Sequence, residues 1–278
     1  MLHINFNGKL VTAETPIINA SSRALRYGDG IFETLKIQSG VLLNAHLHFE
    51  RLWNGLQVLG FEIPALFTPD FLMKEIMHLA KKNGHINGAR VRLNVFRGAG
   101  GIFDPEDLKP RFIIETWPLQ EQYQQWNSNG LVLGIASGVK KSCDILANLK
   151  TNNYLPYVLA ALESKRSRWN DAILLNTSDG IADTTIANIF IIKNEQLFTP
   201  ALNQGPVAGI TRHRLIDFLK AQQYSIVEKT LTAHDLITAD EVFLTNSMYH
   251  MRWVKQLSDS IFTNIITQKI YNSFTATI

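Results

Sequence analysis

The sequence predicts a mixed α/β (α+β) protein of two domains, and three observations support this fold class. Apolar residues recur at helical spacing in some segments and alternate in others, so both helices and strands are expected along the 278 residues. Hairpins and two helices fill the first part, whereas strands and helices alternate more regularly in the second. A polar segment rich in Gln and Asn separates the parts. We expect a small N-terminal α/β domain at 1–117, a linker at 118–130 and a larger C-terminal domain at 131–278.

Composition narrows the class of protein. The hydrophobic fraction of 46% and charged fraction of 18% are typical of a globular chain with a substantial core. The net charge is +3 with both signs mixed, so a nucleic-acid partner is not expected. No apolar run is long enough for a membrane helix, and no secretory signal is visible at the start. The single cysteine, Cys143, excludes an internal disulfide and is expected to be a small buried residue. These features predict a cytoplasmic protein.

The elements of the first domain follow from turn and cap residues. Asn7-Gly8 between two short alternating segments predicts a hairpin with a type I′ turn. Thr68 followed by Pro69 predicts the start of a helix that stops at Asn83. The other elements are a helix over 45–59 and strands over 31–37, 41–43, 91–97 and 112–116.

The second domain reads as alternating strands and helices. The predicted strands are 131–136, 172–176, 188–192, 196–199, 225–230 and 241–245. The predicted helices are 153–168, 209–223 and 233–237.

Lys150 is the first candidate for chemistry. It lies between an apolar segment and a predicted helix that begins directly after it. A lysine held at such a junction can lose hydration and serve as an amine nucleophile. The alternative is an exposed surface charge, the usual state of a lysine.

Two polar segments of the second domain are further candidates. Ile210 and Thr211 open a predicted helix after a glycine-bearing loop, and free N–H groups at a helix start can bind phosphate. The alternative is an ordinary Thr-capped helix. Asn246 and Ser247 end a buried strand and could bind a ligand or form a polar turn.

Two charged residues stand in apolar surroundings. Arg51 lies among apolar residues of the first helix and could form a bidentate pair with a phosphate or a salt bridge with a glutamate. Asp183 precedes a predicted strand and could point inward or cap a turn.

Together and in this order, these motifs resemble the class IV (fold type IV) pyridoxal-phosphate enzymes. That family contains branched-chain aminotransferases, D-amino acid aminotransferases and 4-amino-4-deoxychorismate lyases. The resemblance covers nearly the whole chain, through segments 26–34, 48–52, 150–153, 183–190, 209–212 and 245–247. It implies a barrel-like sheet in the larger domain, pyridoxal 5′-phosphate as cofactor, a small-molecule substrate and a homodimer.

The resemblance also implies a role for each candidate. Lys150 matches the lysine that bonds to the cofactor aldehyde and then moves the α-proton of the substrate. The expected phosphate ligands are Arg51, Ile210, Thr211, Asn246 and Ser247. Asp183 stands where the family usually has Glu on the pyridine nitrogen. Asp carries the same charge on a shorter side chain, so we expect it to keep this role if the backbone approaches or a water bridges the gap.

The substrate pocket decides the reaction. Phe32 replaces the Tyr of D-amino acid aminotransferases, and no Arg-x-His carboxylate trap follows Arg97-Gly98, so that branch is disfavoured. The branched-chain enzymes read Phe-Glu-Gly-Ile-Arg where this chain has Thr34 in place of Gly, but Arg92 matches an arginine that they carry. The resemblance to the branched-chain enzymes is therefore mixed.

The motifs of the lyase fit best. They are Gly-Asp-Gly-x-Phe-x-Thr at 28–34, Arg-Gly-x-Gly-Gly at 97–101 and the Thr-Asn-Ser end at 245–247. We therefore expect a 4-amino-4-deoxychorismate lyase that releases pyruvate and 4-aminobenzoate. Arg92, Arg97 or Arg26 would pair with substrate carboxylates, and the sequence leaves this choice open.

Two alternatives remain beside the lyase. Branched-chain transamination is the first, and a non-catalytic pyridoxal-phosphate binder, favoured only by Asp183, is the second. His46-x-His48 could ligate a metal, but no third ligand has suitable spacing, so no metal is expected.

Overall fold

The computed structural model of the chain describes residues 1–123 and 125–278. The chain forms two compact units. The first comprises Met1–Tyr123 with Leu149–Asn153, and the second comprises Gln124–Asn148 with Tyr154–Ile278. The predicted linker 118–130 includes Gln124, which lies outside the described residues. The domain limits expected at 117 and 131 remain predictions.

The first unit is a six-stranded antiparallel sheet with two longer helices. The strand order is β2-β1-β6-β5-β3-β4. Helix α2 packs against β3, and α3 packs against β1 and β6. The elements are β1 His3–Phe6, β2 Lys9–Thr12, α1 Arg23–Tyr27, β3 Gly30–Gln38, β4 Val41–Leu42, α2 Ala45–Val58, α3 Pro69–Lys82, β5 Gly88–Phe96 and β6 Arg111–Pro118.

Local sequence signals explain most of these elements. Asn7 and Gly8 both have positive φ, 52° and 84°, so the predicted type I′ turn is confirmed. The Thr68 side chain accepts a hydrogen bond of 3.1 Å from the backbone N–H of Phe71, which confirms the predicted helix cap. Helix α1 was not predicted, since it has only five residues and none of them is buried.

The two faces of β3 carry different chemistry. Side chains alternate along a strand, so Phe32 and Thr34 share one face and Glu33 lies on the other. Phe32 lies opposite Asn94 of β5, and Thr34 lies opposite Arg92. Phe32, Thr34, Arg92 and Asn94 therefore share one face of the sheet.

The segment Leu149–Asn153 belongs to the first unit because it pairs with the beginning of β3. Ile31 and Thr151 form an isolated antiparallel bridge. The Phe32 N–H donates to the Lys150 carbonyl at 2.8 Å, and the Asn152 N–H donates to the Gly30 carbonyl at 2.9 Å. The sequence prediction placed this segment inside 131–278, whereas its hydrogen bonds join it to a strand about 120 residues earlier.

A glycine permits this pairing. A Cβ at Gly30 would lie 2.5 Å from the Asn152 side-chain nitrogen and 2.6 Å from the Val95 carbonyl oxygen. No other residue would leave room for the lysine segment at this distance from β3.

The second unit contains a nine-stranded mixed sheet that curls into a half-barrel. Its order is β12-β11-β10-β13-β14-β7-β8-β9, and β15 pairs with β14. The strands are β7 Leu131–Lys141, β8 Asp171–Asn176, β9 Ile181–Thr184, β10 Asn188–Lys193, β11 Gln196–Pro200, β12 Ile226–Lys229, β13 Glu241–Asn246, β14 His250–Leu257 and β15 Ser260–Ile261. The helices are α4 Leu155–Ser167, α5 Ile210–Ala221, α6 Ala233–Ile237 and α7 Ile265–Thr275.

Two apolar clusters stabilise the second unit. In the larger one, Phe190 of β10 and Phe243 of β13 stack with ring centroids 5.0 Å apart, and Leu215 of α5 and Phe274 of α7 lie in the same cluster. The smaller cluster lies under α4 and includes Tyr157. Burial of these faces holds the strands that carry the polar candidates.

One sequence expectation needs correction, and some elements were not predicted. Asp183 lies on β9, an unpredicted four-residue strand formed by pairing with β8, and it is buried, so the inward-pointing alternative describes it and the turn-cap alternative does not. Cys143 is exposed, not buried, because it lies in the irregular segment after β7. Strand β14 and helix α7 were not predicted.

Among the residues that the structure describes, no helix combines the length and the apolar character needed to cross a bilayer.

Candidate active site

Lys150 is held by its backbone and presents its amine to an aromatic ring. Hydrogen bonds at the Lys150 carbonyl and at the Asn152 N–H hold this segment of backbone against β3. Its Nζ lies 4.5 Å from the centroid of the Phe32 ring. The side chain is half-buried, so the amine remains within reach of a ligand. A lysine with a held backbone and an accessible amine is suited to act as a nucleophile.

Arg92 contacts the same aromatic ring. Its guanidinium carbon lies 3.9 Å from the Phe32 centroid. Phe32 is buried, so both groups lie against a ring that is itself held in the core. The first unit therefore places an anion-binding guanidinium and a primary amine beside one ring.

Arg51 is paired with Glu33 in a buried network. The Arg51 Nε donates to Glu33 Oε1 at 2.8 Å, and a terminal nitrogen donates to Oε2 at 2.5 Å. His48 Nδ1 lies 2.7 Å from Oε2. Burial would raise the pKa of Glu33, but the Arg51 guanidinium and the His48 ring lower it to about 2. Of the two alternatives for Arg51, the salt bridge is present, and its partner is a glutamate on β3. The guanidinium group has further N–H donors that can contact a phosphate.

The other two candidate arginines make different contacts. Arg97 donates to Asp29 Oδ1 at 2.5 Å and to the Leu59 carbonyl, and its guanidinium lies over the Phe61 ring at 4.2 Å. Arg26 is exposed and donates to the Ala20 carbonyl at 2.9 Å. These contacts join segments of the first unit to one another. Among the three arginines, Arg92 is therefore the better candidate for binding a substrate carboxylate.

The start of α5 offers backbone donors in the second unit. The N-cap residue Gly209 makes no side-chain cap, and the first helical hydrogen bond is donated by His213 to the Gly209 carbonyl at 2.9 Å. The N–H groups of Ile210 and Thr211 precede this bond, so they lack helical acceptors. A Cβ at Gly209 would lie 1.9 Å from Asn188 Oδ1, so only glycine fits here. The result is a helix start suited to an anion.

Asp183 is engaged through one carboxylate oxygen. Its Oδ2 accepts hydrogen bonds from Lys141 Nζ at 3.0 Å, the Tyr157 hydroxyl at 3.0 Å and the Val207 N–H at 2.8 Å. Its Oδ1 is buried and has no hydrogen-bond partner among the described residues. A buried carboxylate oxygen without a donor is costly, which points to a ligand that supplies one.

Asn246 closes a turn at the end of β13. Its Oδ1 accepts from the backbone N–H of Met248 at 2.9 Å and of Tyr249 at 3.1 Å, and its Nδ2 donates to the Ile186 carbonyl at 3.3 Å. Ser247 lies within this turn and is half-buried. The polar-turn alternative therefore describes the Asn246 side chain.

The residues fit the cofactor expected from the resemblance. Lys150 supplies the amine for an aldehyde, and the start of α5 supplies backbone donors for a phosphate. The unpartnered Oδ1 of Asp183 suits a protonated ring nitrogen. Lys150 belongs to the first unit, and the start of α5 and Asp183 belong to the second.

Several site residues were not predicted from the sequence. Glu33 and His48 surround Arg51, and Lys141 and Tyr157 surround Asp183. A glutamate inside an otherwise apolar strand was a usable signal for Glu33. No local pattern marks Lys141, since it lies 42 residues from Asp183 along the chain.

A metal centre finds no support in the described part of the chain. Within residues 1–123 and 125–278, no group of three His, Cys, Asp or Glu side chains could hold a metal ion. His48 of the His46-x-His48 motif contacts Glu33.

The chain is similar in sequence and in fold to several known proteins. Residues 30–257 match the family described as Amino-transferase class IV. An aminodeoxychorismate lyase of Vibrio harveyi is 31% identical over 238 residues, covering 85% of this chain and 86% of that protein. A putative branched-chain-amino-acid aminotransferase of Methanocaldococcus jannaschii is 29% identical, covering 98% of this chain and 95% of that protein. The crystal structure of an Escherichia coli branched-chain aminotransferase is 25% identical, with a TM-score of 0.89 and coverage of 99% and 94%.

Proposed function

The chain belongs to the class IV aminotransferase family of pyridoxal-phosphate-dependent enzymes, and we propose that it is a 4-amino-4-deoxychorismate lyase. In this reaction the substrate divides into pyruvate and 4-aminobenzoate. The amino group stays on the ring, so no amino acceptor is needed.

One observation carries the choice of reaction. Residues 30–34 of the lyase-like motif lie on β3, whose Phe32 ring contacts both Lys150 and Arg92. Thr34 of the same motif lies opposite Arg92 on the same face. The lyase relative at 31% identity supports the same choice. Of the residues that distinguish the branches, Phe32 therefore adjoins the proposed reacting amine, and Thr34 lies on the same face of β3.

Lys150 has the central chemical role in this proposal. When bound, pyridoxal phosphate withdraws the electrons released as the α-proton of the substrate leaves. Lys150 takes that proton at Nζ and later returns a proton to the carbon of the eliminated fragment. Its backbone bonds to β3 hold Nζ in one place for both transfers.

Arg51, Ile210, Thr211, Asn246 and Ser247 are the proposed phosphate ligands. Arg51 offers a fixed guanidinium, and the start of α5 offers backbone N–H groups together with the Thr211 hydroxyl. Ser247 and the turn closed by Asn246 would supply a second contact.

Asp183 is the proposed contact for the ring nitrogen of the cofactor, and Arg92 is the proposed contact for a carboxylate of the substrate. Asp183 Oδ1 would accept a hydrogen bond from the protonated ring nitrogen, and its negative charge would keep that nitrogen protonated. Arg92 binds a substrate carboxylate beside Lys150, with Phe32 as the wall of the pocket. Arg97 and Arg26 have structural contacts and are weaker candidates for this role.

Branched-chain transamination is the second candidate function. The relative from Methanocaldococcus jannaschii covers more of this chain than the lyase does, and Arg92 suits an amino-acid carboxylate equally well. The requirement for a keto acid as acceptor separates this reaction from the lyase.

A homodimer is also proposed. The outer face of α4 exposes Leu155, Val158, Leu159 and Leu162, which recur at the spacing of one helix face. A continuous apolar stripe of this kind is typical of a buried interface. A second copy of the chain is the partner that the family resemblance favours.

Reductive labelling tests the cofactor. Borohydride treatment of protein loaded with pyridoxal phosphate should place the pyridoxyl mass on the peptide that contains Lys150. In Lys150→Ala that peptide should carry no label, whereas Lys140→Ala, an exposed lysine on β7, should label like the wild type. A protein that takes up no cofactor, or a label on another lysine, would contradict the proposal.

Product analysis tests the reaction. Purified enzyme supplied with aminodeoxychorismate alone should form pyruvate and 4-aminobenzoate in equal amounts. Branched-chain amino acids with 2-oxoglutarate should give turnover at least about a hundredfold slower, the scale of discrimination that lost polar contacts produce. Turnover only in the presence of a keto acid would favour the transferase.

A further inference from the structure

The carboxylate of Asp183 lies at the centre of a buried group of three side chains. Lys141 Nζ and the Tyr157 hydroxyl each lie 3.0 Å from Oδ2, and Lys141 also donates to the Tyr157 oxygen. All three side chains are buried. The group joins the end of β7, helix α4 and strand β9 within the second unit.

The direction of each hydrogen bond follows from the donors available. An ammonium group only donates, so the Tyr157 oxygen accepts from Lys141 and its O–H donates to Asp183. Burial and the nearby Asp183 charge raise the pKa of Tyr157 well above its ordinary value, so it remains a phenol. One ammonium charge and one neutral donor therefore act on the same oxygen.

The two oxygens of this carboxylate are not equivalent. Oδ2 accepts three hydrogen bonds, whereas Oδ1 is buried without a partner in the described part of the chain. The donors on Oδ2 fix the plane of the carboxylate, and the ammonium group offsets part of its charge.

We propose that Lys141 and Tyr157 are positioning residues that act through Asp183 on the ring nitrogen of the cofactor. Tyr157 orients the carboxylate so that Oδ1 faces the ring, and Lys141 reduces the attraction of the carboxylate for the ring proton. This inference rests on the proposed function, since it requires that pyridoxal phosphate binds with its ring at Asp183.

The two residues should have opposite effects on recognition of the ring nitrogen. Without the Lys141 charge, Asp183 carries its full negative charge and is still held by Tyr157 and Val207, so its bond to the ring N–H strengthens. Without the Tyr157 hydroxyl, the carboxylate loses an orienting donor and the bond weakens. A role limited to packing would weaken binding of any ligand in both variants.

The test compares two ligands of the full-length apoprotein at one neutral pH. One is pyridoxal phosphate, and the other is its analogue with CH in place of the ring nitrogen. The measured quantity is the ratio of the two dissociation constants, which isolates the ring nitrogen from the phosphate and the aldehyde.

We expect Lys141→Met to raise the preference for pyridoxal phosphate about tenfold and Tyr157→Phe to lower it by a similar factor. Lys141→Arg should restore the wild-type preference. Lys140→Met is the matched control, since Lys140 is the adjacent residue and pairs with the exposed Asp179 at 2.6 Å. Its preference should equal that of the wild type. Asp183→Asn should remove the effect of Lys141→Met.

Two results would overturn the inference. One is a wild-type preference in Lys141→Met, and the other is a shift of the same sign in Lys141→Met and Tyr157→Phe. If Lys141→Met does not fold, Lys141→Gln removes the charge but keeps a donor, and the same tenfold rise is expected. A wild type that binds neither ligand contradicts the proposed function instead, so the two failures are distinguishable.

Discussion

Glu33 of β3 and Arg51 of α2 form a bidentate ion pair at 2.8 and 2.5 Å, and the carboxylate of this pair is fully buried. The His48 ring lies 2.7 Å from the same carboxylate. Glu33 follows Phe32 directly, so one strand supplies a wall beside Lys150 on one face and the partner of Arg51 on the other. Glu33 of β3 therefore orients the guanidinium of Arg51, which is a proposed ligand of the cofactor phosphate.

Glu33 should make the stability of the protein depend on acid pH. Its pKa of about 2 in the folded protein lies below the ordinary value of 4.5. A lowered carboxyl pKa stabilises the fold above pH 4.5, and this contribution is lost as pH falls toward 2. Glu33→Gln should lower the free energy of unfolding at pH 7 by on the order of 3 kcal/mol, since it removes the buried charge that the Arg51 guanidinium and the His48 ring contact. Denaturant titrations at several pH values measure this loss.

The difference between the wild type and Glu33→Gln should shrink between pH 4.5 and 2. Glu50→Gln changes an exposed glutamate next to Arg51 in sequence and should leave the curve unchanged. A difference that stays constant over this pH range would show that Glu33 is not ionised in the folded protein.

Arg51→Lys should weaken binding of the cofactor through its phosphate alone. Lysine keeps the charge but cannot hold Glu33 in a bidentate pair and contact a phosphate with the same planar group. We expect about a tenfold loss of affinity for pyridoxal phosphate. The affinity for pyridoxal, which lacks the phosphate, should not change. Equal losses for both ligands would place the effect elsewhere than the phosphate.

Elements with local signals were predictable from the sequence. The Asn7-Gly8 turn needs only two residues of positive φ, and the cap at Thr68 needs only the next turn of helix. For these two elements the information lies within a few consecutive residues. Lys150 was proposed from the order of several motifs along nearly the whole chain, which resemble a known family.

Features that depend on distant pairing were not predictable. Strand β9 has only four residues, and its pairing with β8 makes it a strand and carries Asp183 into the interior. The lysine segment pairs with β3 across more than a hundred residues of sequence. A single sequence contains no periodicity that reports such contacts.

The choice of the arginine that binds the substrate carboxylate depends on contacts that only the structure shows. Arg92, Arg97 and Arg26 were equal candidates as residue types. Arg97 pairs with Asp29, which itself also pairs with Arg23 at 2.7 Å, so its charge is balanced within the first unit. Arg92 lies against Phe32, next to Lys150, which no local pattern specifies.

Arg92→Met should therefore raise KM for the carboxylate substrate by about ten- to a hundredfold, the usual range for a lost charge-assisted pair. Cofactor affinity should not change. Arg90→Met is the matched control, because Arg90 lies on the same face of β5 but is exposed beside Trp117. Steady-state kinetics measures the change.

Arg97→Met should instead lower the thermal midpoint, since it leaves Asp29 with one of its two partners. The reverse pattern, with KM raised in Arg97→Met and unchanged in Arg92→Met, would assign the substrate carboxylate to Arg97.

The apolar stripe on α4 predicts the effect of a charge on assembly. Leu159→Glu places a carboxylate at the centre of the stripe, where burial in an interface without a partner costs several kcal/mol. We expect this variant to be monomeric by light scattering at concentrations where the wild type is dimeric. Ser167→Glu, an exposed change on the same helix away from the stripe, should remain dimeric. A dimer that persists in Leu159→Glu would place the interface on another surface.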